Sequence, residues 1–169
     1  MHIENFRWLA TVVAQHKDQK IAGRTRLQKT IWLLQRLGLQ SSYSYKTYHY
    51  GPYSEGVQAE VELLESFGVL KENSKVSQAD KSYYVIEVMH TDHLVADQLP
   101  ENVKSAIPML EKEDAGILEL AATYDAFRSE GAPHMEAMDA VRRKKGEKCN
   151  NGKLKKAVEF VGKLGLQNS

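Results

Sequence analysis

The sequence predicts a mainly helical α+β protein, with a winged-helix-like N-terminal lobe carrying a small β-hairpin and a C-terminal helical lobe. Three observations carry this reading. Apolar residues recur at helical spacing in most segments, Ser41–Tyr50 alternates hydroxyl and aromatic residues before Gly51-Pro52, and apolar runs at Val69–Lys71 and Tyr83–Met89 look like paired strands. The order helix, extended aromatic stretch, rigid turn, helix, hairpin is that of a winged helix-turn-helix, a scaffold that binds DNA or protein. Residues 1–90 form the first lobe in this reading, 91–107 a linker and 108–169 the second lobe.

Ile3, Phe6, Leu9, Ala10 and Val13 place the first helix over residues 3–15. His16 to Gly23 is polar and reads as a loop. Thr25 is the expected N-cap of the second helix, which buries Leu27, Ile31 and Leu34 and stops at Gly38. Ser41 to Tyr50 reads as a short strand or extended arm that Gly51-Pro52 breaks. Ser54 then caps a third helix with Val57, Val61, Leu64 and Phe67 inward. A long polar connection, Glu72 to Ser82, joins the two hairpin strands. The stretch from His90 to about Pro108 is acidic, contains two prolines and reads as linker. Beyond it, Ile117, Leu120, Ala121, Tyr124 and Phe127 mark one helix, and Met135, Met138 and Val141 a second. Leu154, Ala157, Val158, Val161 and Leu164 mark the last, and the three should pack as a small bundle.

A charged fraction of 27% and an apolar fraction of 42% exclude a disordered chain. Glu4, Asn5 and Arg7 interrupt the first residues, so no signal-peptide core is expected, and no apolar run approaches a bilayer-spanning length. One cysteine, Cys149, excludes an internal disulfide framework and fits a reducing, cytoplasmic setting. Its Lys- and Asn-rich surroundings can favour thiolate, but the reading preferred on composition is an incidental surface cysteine. Charge is uneven: residues 1–40 carry net +5, residues 41–120 net −8, and residues 121–169 net +4. Either a polyanion-binding face or mutual neutralisation inside the fold would produce that pattern.

Signals for catalysis are poor. There is no Gly-rich phosphate loop, no H-E-x-x-H and no cysteine pair, and no catalytic residue, metal or cofactor is expected. The nearest thing to a metal cluster, His90, Asp92 and His93, lacks a matching fourth ligand in sequence.

Basic residues offer a second kind of site. Arg24, Arg26 and Lys29 crowd a helix N-terminus, where exposed cations cost about 0.3–1 kcal/mol each, so something should offset them. A phosphate or other anion is one candidate; a salt link to Glu60 or Glu65 of the third helix is the other. Arg142, Arg143, Lys144 and Lys145 lie in the last turn of a helix, where the dipole favours cations, and Lys148, Lys153, Lys155 and Lys156 follow. Glu55, Glu60, Glu62 and Glu65, with no Lys or Arg, make the third helix a poor reader of duplex DNA. The dense tyrosines offer a contact surface, and Tyr48, Tyr50, Pro52 and Tyr53 are the candidate partner-binding residues, though core packing would account for part of the run.

The pattern Thr-Arg-Leu-Gln-Lys-x-Ile-x-Leu-Leu over 25–34, then Tyr50-Gly-Pro-Tyr-Ser54 and Leu63-Leu-Glu-Ser-Phe-Gly-Val69, resembles the YwgA-type family of bacterial and archaeal proteins. More distantly it resembles the SocA-like or Panacea antitoxin domain, which has a similar Leu-Gln-Lys helix and Tyr-Gly-Pro turn. The tail, Leu118-Glu-Leu-Ala-Ala-Thr123 through Ala137–Val141 to Leu164-Gly-Leu166, looks like the YwgA type and departs from Panacea. Neither family brings catalytic residues. The resemblance implies a cytoplasmic, prokaryotic, non-enzymatic interaction module, either an antitoxin-like adaptor or a regulatory partner in a defence or stress locus. A winged-helix DNA-binding regulator is the alternative, and an unrecognised enzyme comes third.

Overall fold

The computed structural model describes residues 3–92 and 94–166. Helix α1 (Ile3–Ala14) buries Leu9, Val12 and Val13. A strand, β1 (Lys20–Ala22), follows in place of the expected loop. Only Ile21 of its three residues is buried, so too little apolar alternation was present to mark it, and its strand character comes from pairing. Helix α2 (Arg24–Arg36) starts one residue ahead of Thr25, from Gly23, and buries every residue from Leu27 to Ile31. It is therefore the central helix, enclosed on more than the predicted stripe.

The aromatic segment forms a two-stranded ribbon, β2 (Lys46–Tyr48) and β3 (Gly51–Tyr53), in which Thr47 pairs with Pro52 and Tyr48 with Gly51. Gly51-Pro52 opens the returning strand instead of ending the extended stretch. A proline fits there because a two-stranded ribbon has only edges. Helix α3 (Glu55–Ser66) starts at Ser54, whose hydroxyl accepts from the Val57 amide at 3.3 Å. Its Val57, Val61 and Leu64 are buried as expected, but Phe67 is 65% exposed beyond the helix end, edge-on to Phe6.

Strand β4 (Leu70–Val76) is longer than expected, β5 (Ser82–Val88) lies within one residue of the expected strand, and the two are joined through residues 77–81. Register runs from Leu70 opposite Val88 to Val76 opposite Ser82, and β1 pairs with the other edge of β5 in the order β1-β5-β4. The distal hairpin is polar and exposed on both faces, so alternation could not reveal its length.

Helix α4 (Glu101–Lys112) forms where residues up to 107 were expected as linker. Val103, Ala106, Ile107 and Leu110 follow helical spacing and are buried. Pro108 lies on the exposed face, where water can satisfy the carbonyl its ring leaves unbonded. Helices α5 (Ala115–Ser129), α6 (His134–Lys145) and α7 (Lys153–Lys163) match the expected three, except that Met135 points outward, 62% exposed. One cluster of buried side chains runs from Leu9 and Ile31 through Leu110 and Leu118 to Val141 and Val161. The two lobes therefore share a core. The mainly helical α+β class is the one the sequence predicts.

A linker would tolerate truncation of its apolar residues; a packed helix would not. Ile107→Ala should lose roughly 2–4 kcal/mol of stability in urea unfolding. An unchanged midpoint would show that α4 contributes little.

Candidate functional site

The ribbon of β2 and β3 is held from three sides. From α2, the Lys29 ammonium donates to the Pro52 carbonyl at 2.7 Å. One residue earlier, the Gln28 amide brackets Ser54, donating to its carbonyl and accepting from its N–H, both at 2.9 Å. From α5, Thr123 packs against Gly51, whose φ is +88°. A Cβ at Gly51 would collide with the Thr123 hydroxyl, so glycine is required by backbone conformation and by space together. From α6, the Lys145 ammonium donates to the His49 carbonyl and, at 2.7 Å, to Glu119 of α5. Lys148 also donates to Glu119, at 3.0 Å.

Three ammonium groups and one carboxylate thus meet under the ribbon turn. Burial, reinforced by repulsion from Lys145, lowers the Lys29 pKa from 10.5 to about 8. Burial also lowers Lys145, despite its bond to Glu119. Burial alone would raise Glu119, but bonds from Lys145 and Lys148 outweigh it and hold the carboxyl below its usual range. Every shift has the sign expected where positive charge is in excess.

Above this base stand the tyrosines. Tyr48 is 45% and Tyr50 61% exposed, and Tyr48 meets Tyr53 edge-to-face at 5.7 Å. Tyr48 and Tyr53 line two grooves. One, of about 430 Å³, lies over α2 and includes Lys29, Gln28, Tyr50 and Gln58. The other, of about 610 Å³, lies toward α3 and includes Tyr43, Tyr45, Ala59 and Glu60. Buried Glu60 accepts from the Tyr43 hydroxyl, and burial raises the pKa of both groups.

The predicted residues divide accordingly. Tyr48 and Tyr50 are exposed and Tyr53 half-buried, whereas Pro52 is buried under the ribbon and offers a partner no surface. Lys29 and Lys145 are buried as well, because their ammonium groups bond carbonyls of the ribbon, so neither can meet the backbone of a duplex. The expected links to Glu60 or Glu65 do not form. Arg24 pairs instead with Glu72 of the hairpin, with its guanidinium 3.7 Å from the Tyr84 ring centre. Arg26 reaches the Leu110 and Glu113 carbonyls at 3.0 and 2.9 Å, at the negative end of the α4 dipole. Arg142 pairs with Asp139, while Arg143 and Lys144 are exposed.

Glu60 leaves the acidic surface of α3, but Glu55, Glu62 and Glu65 remain exposed on it. His90 and Asp92 are exposed and His93 lies outside the described residues; among the described residues no three His, Cys, Asp or Glu side chains group to hold a metal. Cys149 is half-buried, and burial raises its thiol pKa more than Arg142 and Lys145 lower it, against the thiolate expectation. Glu119, Thr123 and Gln28 were missed, and Lys148 was read only as part of the basic cluster. A signal existed for the first: Glu119 is a carboxylate set inside the apolar run Ile117–Ala122.

Fold and site together define a mainly helical α+β protein presenting a tyrosine ribbon between two grooves. No family model matches the sequence. The chain is similar to the "Uncharacterized protein YwgA" of Bacillus subtilis (strain 168), 27% identical over 153 residues, which cover 86% of this chain and 88% of that protein.

Two measurements test the anchoring. Gly51→Val should cost about 2–4 kcal/mol, from strain at positive φ and the displaced Thr123. Adding Thr123→Ala should recover part of that loss, and no recovery would remove Thr123 from the account. For Lys29, the folded pKa lies below the unfolded one, so the unfolded chain binds more protons between pH 8 and 10.5. The stability of the wild type relative to Lys29→Met should therefore rise across that window, with the full cost of burial present below it. A flat difference would show an ammonium that is not desolvated.

Proposed function

We propose that this chain is a non-enzymatic protein-interaction module on a winged-helix scaffold, which presents the β2–β3 ribbon to a protein partner. The observation that carries the reading is the pairing of exposed Tyr48 and Tyr50 with a buried foundation. A tyrosine surface held by Lys29, Lys145 and Gly51 has little conformational freedom left to lose on binding. Tyrosine adds apolar area with a polar tip, and such residues anchor interfaces. The family resemblance supports a place in a bacterial defence or stress locus as an antitoxin-like adaptor or regulatory partner, acting in the cytoplasm. On that reading no helix is needed in a membrane, and none among the described residues is long and apolar enough to cross one.

The DNA-binding regulator is the second reading. What favours it is the exposed group Arg143, Lys144, Lys153, Lys155 and Lys156, around the end of α6 and the start of α7. Against it stand the exposed carboxylates of α3 and the internal use of Arg24, Arg26, Lys29 and Lys145.

Partner capture from the source organism, identified by mass spectrometry and repeated with purified components, separates the two. Tyr50→Ala should weaken the complex by about 2 kcal/mol, roughly 30-fold, with the melting temperature unchanged. Tight binding to one duplex sequence at physiological salt, with a steep log–log salt slope, would replace the adaptor with the regulator. Equal partner binding by Tyr50→Ala and Tyr53→Ala would remove the ribbon as the contact.

A further inference from the structure

Lys29 is the anomaly in this fold. It is 2% exposed, yet the hydrogen bond recorded for its ammonium goes to a neutral acceptor, the Pro52 carbonyl. Among the described residues no carboxylate lies within ion-pair distance of it. Two other inward-facing cations have one: Arg36 meets Asp125 at 2.9 Å, and Lys145 meets Glu119 at 2.7 Å. The nearby Glu119 acts on Lys29 only through space, its hydrogen bonds coming from Lys145 and Lys148. A buried, unpaired ammonium is costly, and an ammonium carries three donors. Lys29 also lines the 430 Å³ groove, together with Tyr48, Tyr50 and Gln28.

We propose that this groove is a subsite for a carboxylate, the side chain of an Asp or Glu on the partner protein, received by the Lys29 ammonium between the tyrosine rings. The inference rests on the partner-binding reading and specifies the chemistry of the segment bound. A carboxylate fits better than the phosphates of a polyanion for two reasons. The floor supplies one ammonium, and Arg24 at the groove is already paired with Glu72. The adjoining face of α3 exposes Glu55 and Glu62, which repel a densely charged chain but leave an isolated acidic residue in a neutral segment free to enter. The bound carboxylate would give Lys29 the direct ion pair that Glu119 does not make, and the aromatic rings would exclude water from the pair.

The test uses the full-length protein labelled with ¹³C at the lysine side chains. Sodium acetate, sodium phenylacetate and inorganic phosphate are titrated at constant ionic strength, and the Lys29 Cε signal, assigned with Lys29→Gln, is followed. Phenylacetate should shift that signal saturably in the millimolar range, more tightly than acetate because its ring meets the tyrosines. Tyr50→Ala should weaken phenylacetate more than acetate. No saturable shift with either carboxylate would overturn the proposal, as would phosphate binding more tightly than phenylacetate.

Failure here is distinguishable from failure of the adaptor reading. Loss of partner binding in Tyr50→Ala, with full binding by folded Lys29→Gln and no carboxylate effect, would sink the subsite and leave the adaptor. At least about a tenfold weaker complex for folded Lys29→Gln would support both.

Discussion

The ammonium group of Lys145 reaches from α6 to Glu119 on α5 and to the His49 carbonyl in the ribbon turn, and much else follows from that buried pairing. A short two-stranded ribbon has no core of its own and is marginal in water unless another element covers it. Here α5 supplies the cover through Thr123, α2 grips the return strand through Lys29 and the junction to α3 through Gln28, and α6 closes the turn through Lys145. The N-terminal helices and the C-terminal helices meet at this point as well as in the apolar core. Removing one partner would leave its counterpart buried and unsatisfied, which costs more than the pair contributes when intact.

That arrangement changes the meaning of the basic residues. A cluster of Arg and Lys in a small α+β protein invites a nucleic-acid reading, but four of the seven candidates are committed to partners within the molecule. Arg24 goes to the hairpin, Arg26 to the end of α4, and Lys29 and Lys145 to the ribbon. Their charge is spent on assembly. Beside the exposed Arg142, Arg143 and Lys144, the surface presents a tyrosine pair between two grooves whose walls differ in character, with Lys29 in one and Glu60 in the other. Such a surface suits side-chain recognition better than contact with a uniform phosphate backbone.

Helices with a strong apolar stripe were legible in sequence because burial on one face imposes a 3.6-residue period, and α1, α2, α3, α5 and α7 all carry it. The same period was present in α4, as Val103, Ala106, Ile107 and Leu110, but Pro100 and Pro108 masked it. Proline ends a helix only where its missing N–H or its ring cannot be accommodated; Pro100 precedes the first turn and Pro108 faces out. Strand β1 and the outer half of the β4–β5 hairpin were illegible for another reason. Their order comes from backbone pairing with β5, which leaves little trace in side-chain type when both faces are wet.

By itself, then, the sequence determined the fold class, the main helices and the Ser54 cap, since periodicity and capping are local properties. It also marked the tyrosine run and the acidic face of α3. Only the tertiary structure decided which tyrosines face out, that Pro52 is covered, and which way each cation turns. Charge partners are chosen by distance in space: Lys29 and Pro52 are 23 residues apart, and Lys145 and Glu119 are 26 apart. Position along the chain carries no record of those distances, so composition could announce an excess of bases without saying that Lys29 would end up buried with its bond to a carbonyl and not to a carboxylate.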